Sequence, residues 1–188
     1  VCNYIDIPLQ HINTDILRSM KRGSSHEKID GLLKFFRKKV PNIAIRTTLI
    51  VGYPGETDSE FQHLLDWLGE AQLDRVGCFQ YENVKGARSN LLPEQIPNEV
   101  KEERWKKFME ISQNISKAKL EKKIGKKLDV IVDSIEPDGA TCRTMADAPE
   151  IDGNLFIDEN FQNLSTGDIV QVVIDEASEY DLWGKLIV

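Results

Sequence analysis

A β-strand, a tight turn and the start of a helix follow one another in Ile43-Ala44-Ile45-Arg46-Thr47-Thr48-Leu49-Ile50-Val51-Gly52-Tyr53-Pro54-Gly55-Glu56-Thr57-Asp58. The first nine residues are rich in β-branched side chains, which is typical of a strand buried in a parallel sheet. Gly52 and Gly55 break the strand, and Thr57 with Glu60 matches a capping box at a helix start. The pattern predicts one unit of an α/β fold.

The turn at residues 52–56 is the first place to expect a small-molecule site. Ligands of α/β proteins usually lie at the carboxyl ends of the strands, and glycines let the backbone approach a ligand closely. A well-formed turn that binds nothing would have the same sequence. The turn therefore predicts a location and does not identify a function.

The remainder of the first 124 residues continues the α/β pattern. Strands are predicted at 1–8 and 75–81, and helices at 12–20, at about 29–36 and at 98–123, with Asn13 as the cap of the first. Residues 82–96 have the composition of a loop.

The sequence changes character after Gly125, where short alternating strands replace long helices. Five strands are predicted, at 128–135, 140–144, 153–157, 169–174 and 182–188. This number of short strands in about sixty residues favours a small closed β-barrel of the OB type. We predict two domains, 1–124 and 125–188.

Charge separates the two predicted domains. Residues 125–188 hold four bases and fourteen acids, a net charge of −10, whereas residues 1–124 have a net charge of +3. OB-type barrels often bind nucleic acid through a basic groove, but an acidic barrel would repel phosphates and attract a basic protein. We therefore expect a protein partner for the barrel.

Composition also bears on location. No apolar run is long enough for a membrane helix, and the chain opens on Val1 without a signal peptide, so we expect no membrane association and read the chain as a fragment. Cys2, Cys78 and Cys142 are too widely spaced to suggest a disulfide framework, which fits a cytoplasmic protein.

Several separate blocks resemble the radical-SAM methylthiotransferases, and the last block resembles the RimO branch, which modifies an aspartate of a ribosomal protein, more than the MiaB branch, which modifies a tRNA adenosine. The blocks are residues 45–57, Leu73-Asp74-Arg75-Val76-Gly77-Cys78-Phe79, Val100-Lys101-Glu102-Glu103-Arg104 and Ala146-Asp147-Ala148-Pro149-Glu150-Ile151-Asp152-Gly153.

The resemblance implies a fold and a chemistry. It implies the carboxyl-terminal part of a TIM-like (β/α) barrel that binds S-adenosylmethionine beside a [4Fe-4S] cluster, followed by a substrate-binding TRAM barrel. Members of the family form a 5′-deoxyadenosyl radical and insert a methylthio group with the help of a second [4Fe-4S] cluster. The implied substrate is an aspartate β-carbon of a small-subunit ribosomal protein, either alone or within the ribosome.

The chain departs from the family at the cluster that cleaves S-adenosylmethionine. That cluster needs Cys-x-x-x-Cys-x-x-Cys, and the three cysteines here are far apart. We expect them to be small buried hydrophobes, expect the cluster ligands upstream of Val1, and expect this chain alone to be inactive.

The resemblance also places cofactor-binding residues. Gln10 and Arg46 match positions that line the S-adenosylmethionine site, and Gly52, Gly55 and Glu56 would pass near its adenosine part. Arg46 could instead form an ion pair inside the barrel. Glu56 could instead be a negative charge that interacts favourably with the helix dipole at a helix start. His11 could reach the same pocket or be an ordinary polar residue.

An acidic loop is predicted between two barrel strands. Asp147, Glu150 and Asp152 are hypothesised to contact the basic substrate protein, and the alternative is a solvated turn closed at Asp152-Gly153. Two rival functions remain at this stage. The MiaB-type tRNA enzyme would favour a basic barrel, and a non-catalytic binding module would use the α/β part only as a scaffold.

Overall fold

The structure is a computed structural model that describes residues 2–187. The chain divides into two compact units, Ile5–Ser112 and Gln113 onward together with the residues before Ile5. The observed division falls within a helix, ahead of the predicted boundary at residue 124. The two functional domains therefore remain a prediction.

The first unit is an α/β layer built around a three-stranded sheet of order β1-β2-β3, in which β2 and β3 run parallel from Arg46 opposite Arg75 to Val51 opposite Gln80. Its elements, in chain order, are β1 (Tyr4–Asp6), α1 (Thr14–Ser19), α2 (His26–Lys39), β2 (Ala44–Val51), α3 (Asp58–Ala71), β3 (Arg75–Gln80), a 3₁₀ turn (Arg88–Leu91) and α4 (Asn98–Glu121). Helix α4 continues into the second unit.

Two predicted helix caps are present. The Asn13 side chain accepts hydrogen bonds from the backbone N–H groups of Asp15 and Ile16 at the start of α1. Thr57 and Glu60 form the complete capping box of α3. Both caps satisfy backbone donors that the first helical turn leaves free, which explains why the helices begin there.

The core of the first unit lies between the sheet and its helices. Alternate residues of β2 are fully buried, and α3 buries the apolar stripe predicted from its sequence, namely Phe61, Leu64, Leu65 and Leu68. The strand therefore packs firmly up to Val51, so that its carboxyl end and the following turn are held in a fixed position.

The second unit contains the predicted closed barrel, with strand order β4-β5-β6-β8-β7. The strands are β4 (Lys127–Glu136), β5 (Gly139–Thr144), β6 (Leu155–Ile157), β7 (Ile169–Ala177) and β8 (Leu182–Leu186). Alternating side chains fill the interior, among them Val132, Cys142 and Ile174. Phe161 belongs to this core, whereas Phe156 and Trp183 are half-buried and contact each other at 5.5 Å between ring centroids.

No helix within residues 2–187 combines the length and the apolar character needed to cross a membrane.

Candidate functional site

The turn that follows β2 is closed by its own glutamate. The Glu56 carboxylate accepts hydrogen bonds from the backbone N–H groups of Gly52 and Tyr53, at 2.5 and 3.3 Å. Gly52 and Gly55 both have left-handed backbone angles, with φ of +74° and +84°. Glycine adopts this conformation without steric cost, so the two glycines allow the chain to turn back onto the Glu56 carboxylate.

Glu56 faces the protein interior, where Arg104 of α4 meets it. The side chain of Glu56 is 0% exposed and that of Arg104 is 7% exposed. Arg104 Nη1 lies 3.2 Å from Glu56 Oε1, which makes an ion pair, but Oε1 accepts no hydrogen bond. Arg104 also donates to the Glu56 carbonyl oxygen at 2.9 Å and to the Asp58 carboxylate at 2.7 Å. Glu56 therefore closes the turn from the protein interior, and its side chain does not line the cavity described below.

Burial controls the ionisation of Glu56. Loss of water raises the pKa of its carboxyl to about 7, against the opposing effects of Arg104 and the two backbone N–H groups. The group therefore titrates near neutral pH.

Gly52 is also required for space. A Cβ atom at this position would collide with the side chain of Lys101, a buried residue of α4 whose ammonium lies 5.3 Å from the centre of the Tyr81 ring. The turn thus packs directly against α4 on one side.

A cavity of about 490 Å³ opens at the carboxyl ends of the strands. Gln10, which follows β1, lines it together with Ile50 and Tyr53 at the end of β2 and Tyr81 just after β3. This is the edge at which α/β proteins usually bind ligands. Gln10 is the predicted cofactor residue that the structure places in the cavity wall.

The Gln10 backbone is fixed and its side chain is free. Its N–H donates to the Thr48 carbonyl and its carbonyl accepts from the Ile50 N–H, at 2.9 and 2.7 Å, with φ at +71°. Within residues 2–187 the side-chain amide makes no hydrogen bond. A donor and an acceptor are therefore available to a ligand.

Arg46 lies elsewhere. It occupies the third position of β2, about 20 Å along the strand from Gly52 at the usual rise of a strand. Its guanidinium pairs with Asp6 of β1 at 2.7 Å and does not line the cavity. The structure thus brings Gln10 and the turn to one edge of the sheet and leaves Arg46 towards the other.

Two of the three acids in the loop between β5 and β6 accept hydrogen bonds from nearby groups of the protein. Asp147 is buried and accepts from the Thr144 hydroxyl at 2.6 Å. Asp152 accepts from the Tyr4 hydroxyl and the Ala148 N–H, at 2.7 and 2.8 Å. Glu150 is exposed, with φ at +67°. Glu150 is therefore the one of the three predicted contact residues that is exposed to solvent.

Two of the three cysteines are buried as expected, whereas Cys2 is exposed, so the expectation is wrong for Cys2. Cys78 and Cys142 are buried in different units, and burial raises the pKa of both thiols, that of Cys142 to about 11. Iron–sulfur clusters need thiolates. Within the described chain no group of three or more His, Cys, Asp or Glu residues could hold a metal ion.

His11 is a buried structural residue beside the cavity. Its Nδ1 accepts from the Asn13 N–H at 2.9 Å, and it does not line the cavity. Burial, with a smaller effect of nearby His63, lowers the pKa of His11 to about 4. His11 is therefore neutral at physiological pH.

The sequence pattern predicted the turn that contains Tyr53 as a ligand location, but it indicated no role for Arg104, Lys101, Tyr81 or Arg88. Arg104 and Lys101 do lie in one of the blocks that carried the family resemblance, which was the signal available for them. Nothing in the local sequence indicates that α4 returns to the turn after β2, because that contact joins residues about fifty positions apart.

Comparisons with known proteins agree with this architecture. Residues 1–68 match the radical SAM superfamily, and residues 124–187 match the TRAM domain. The coproporphyrinogen III oxidase HemN of Escherichia coli, a radical SAM enzyme, superposes with a TM-score of 0.51 at 21% identity, covering 61% of this chain and 27% of that one. This likeness supports the fold alone.

Curated relatives are much closer in sequence. The ribosomal protein uS12 methylthiotransferase RimO of Jannaschia sp. (strain CCS1) is 61% identical over 97% of this chain. The RimO of Ruegeria sp. (strain TM1040) is 62% identical over 99% of it. The chain spans 40% of the length of each of these relatives.

Proposed function

Because this chain belongs to the radical-SAM methylthiotransferases of the RimO type, we propose that it is the part of such an enzyme that completes the S-adenosylmethionine site and engages a ribosomal protein. The reaction proposed for the whole enzyme is transfer of a methylthio group to an aspartate β-carbon of uS12. The observation that carries this proposal is the identity of about 60% along nearly the entire chain.

The cavity fits S-adenosylmethionine in chemistry. Gln10 offers an unused amide, Tyr53 and Tyr81 offer ring surface, and the adjoining turn is held rigidly by Glu56. When bound, S-adenosylmethionine supplies the radical that abstracts hydrogen from the substrate carbon. The residues of this chain position the cofactor and exclude water.

The predicted site residues have different roles in this proposal. Gln10 contacts the cofactor, Gly52 and Gly55 allow the backbone to approach it, and Glu56 fixes the turn from inside. Arg46 joins β1 to β2 through Asp6 instead of touching the cofactor.

The residues present do not fit an iron–sulfur cluster. The family uses S-adenosylmethionine with iron–sulfur chemistry, and the three cysteines here are separated, with two of them buried as thiols. We propose that the ligands of both [4Fe-4S] clusters lie in parts of the enzyme outside this chain, so that this chain alone is inactive.

The barrel is proposed to bind the basic substrate protein. Its net charge of −10 opposes binding to RNA and favours a basic partner, and Glu150 extends one carboxylate of the acidic loop to solvent. A ribosomal substrate, free or within the ribosome, would place the enzyme in the cytoplasm.

A hybrid enzyme tests the proposal. The matching 40% of the Jannaschia RimO would be replaced by this chain, the clusters reconstituted, and uS12 analysed by mass spectrometry after reaction with S-adenosylmethionine and reductant. We expect one methylthio group on a single aspartate. A hybrid that folds and holds its clusters but leaves uS12 unmodified would contradict the proposal.

A further inference from the structure

The cavity at the carboxyl ends of the strands is strongly cationic. Lys21, Arg22 and Arg88 lie at its rim and are exposed, and no acidic side chain lines it. Within residues 2–187 none of these three makes an ion pair, whereas Arg18, Arg46 and Arg104 of the same unit each pair with a carboxylate. The cationic rim (Lys21, Arg22 and Arg88) is therefore an unneutralised concentration of positive charge beside a concave site.

The backbone that places two of these residues is strained. Helix α1 ends in a Schellman arrangement, with the Lys21 N–H bonded to the Arg18 carbonyl at 3.0 Å and the Arg22 N–H to the Leu17 carbonyl at 2.8 Å. Lys21 holds the left-handed position, φ +61°, where glycine is usual. Gln10, also left-handed, lines the same cavity. Strained non-glycine residues concentrate at ligand sites.

The floor of the cavity is aromatic, and its hydroxyl groups are already engaged. The Tyr53 and Tyr81 rings meet edge to face with centroids 5.3 Å apart. The Tyr53 hydroxyl pairs with Ser19 at 3.3 Å, and the Tyr81 hydroxyl donates to Asn90 at 3.1 Å. An apolar floor beneath a cationic rim suits a small organic group that carries a negative charge.

We propose that the cationic rim binds a ligand carboxylate, with Arg22 and Arg88 as its main partners. Guanidinium groups pair with carboxylates in a planar, bidentate geometry that lysine cannot reproduce. The inference rests on the proposed function, under which two carboxylates could enter the cavity. One is the side chain of the target aspartate, and the other is the amino-acid carboxylate of S-adenosylmethionine.

Binding to the 188-residue chain separates these two sources. The probes are S-adenosylmethionine, an end-blocked peptide with a single aspartate, and the same peptide with asparagine, each titrated calorimetrically. The variants are Arg22→Gln and Arg88→Gln. Lys38→Gln is the matched control, because Lys38 is exposed on α2 and lies outside the cavity. Thermal unfolding checks that each variant folds.

We expect each arginine substitution to lower the affinity for a carboxylate-bearing probe about tenfold, which is the usual effect of losing one charge-assisted hydrogen bond. If the arginine variants bind the aspartate peptide more weakly, while their affinity for the asparagine peptide and the affinities of Lys38→Gln are unchanged, the rim binds the substrate carboxylate. Weakening confined to S-adenosylmethionine assigns it to the cofactor. Equal binding of every probe to wild type and both variants, or no binding to wild type, overturns the proposal.

Failure of this inference and failure of the proposed function give different results. If the hybrid enzyme modifies uS12 equally well with and without Arg22→Gln and Arg88→Gln, only the proposal that the cationic rim binds a carboxylate is contradicted. Carboxylate-selective binding by the chain, combined with an inactive hybrid, would contradict the proposed function alone.

Discussion

Two loops were expected to face ligands, the turn at residues 52–56 and the acidic loop between β5 and β6. Glu56 in the first and Asp147 and Asp152 in the second turn inward, and Glu150 stays exposed. Glu56 is fully buried against a guanidinium, whereas Asp152 is half-buried and accepts from a hydroxyl and a backbone N–H. The first loop thus depends on a charge pair removed from water, and the second on hydrogen bonds from neutral donors. An acidic side chain in a loop that is predicted to bind a ligand can therefore stabilise the loop conformation from inside instead of contacting the ligand.

The largest expected effect comes from breaking the buried pair. Arg104→Met removes the counter-charge of Glu56, so the carboxyl must either stay unpaired in the interior or take up a proton. Removal of one partner of a buried pair typically costs about 3–5 kcal/mol of unfolding free energy. Urea unfolding measures it. The control is Arg18→Met, which breaks the exposed pair with Asp15 and should cost under about 1 kcal/mol. Similar losses of unfolding free energy in the two variants would show that burial does not make the Glu56–Arg104 pair more important to stability than the exposed Asp15–Arg18 pair.

Gly52→Ala should be the next most disruptive change. The left-handed backbone costs alanine about 1 kcal/mol, and contact with Lys101 adds to this, for a total of about 2–3 kcal/mol. Gly55→Ala is the matched control, because it has the same backbone strain but open space, with Glu94 no closer than 3.6 Å. The account fails here if Gly55→Ala is as costly as Gly52→Ala.

The His11 contribution to stability should fall as the pH is lowered. The pKa of His11 is lowered to about 4 in the folded chain from 6.5, so between these values the unfolded chain binds more protons and stability falls as the pH drops. From pH 7 to pH 5 the loss is about 2 kcal/mol. Glu56 offsets this loss by a similar amount, about 2 kcal/mol, since a raised pKa gives stability that is present below 4.5 and lost as the pH rises through about 7.

The variant His11→Asn isolates this effect, since asparagine can still accept from the Asn13 N–H. On going from pH 7 to pH 5, the unfolding free energy of the variant should change by about 2 kcal/mol in the stabilising direction relative to wild type, as measured by denaturant unfolding at both pH values. An identical pH dependence in the two proteins would show that His11 is not held neutral by burial.

The smallest effects belong to the acidic loop. Asp152→Asn weakens the bonds from Tyr4 and Ala148 and should cost about 1 kcal/mol, whereas Glu150→Gln should change the unfolding free energy by less than about 0.5 kcal/mol. The same two variants should reverse their order in binding to a basic partner, where the exposed Glu150 matters more. Chemical denaturation and a binding titration together check the comparison.

Local sequence predicted the local structure of both units. The capping box at Thr57, the Asn13 cap, the buried strand β2 and the five barrel strands all follow from patterns within a few residues. The direction of the site side chains could not be predicted in this way. Whether Glu56 turns inward depends on Arg104, and the clustering of Gln10 with Tyr81 depends on the order of strands in the sheet.

We propose that this chain combines one edge of an S-adenosylmethionine site with an acidic barrel that binds a basic ribosomal protein. The most direct test is to titrate the 188-residue chain with uS12 and with tRNA in parallel, at low and high salt. The account predicts binding to uS12 that weakens as salt is added, and little binding to tRNA. Preferential binding to tRNA would contradict it and would favour the sister enzymes that modify tRNA.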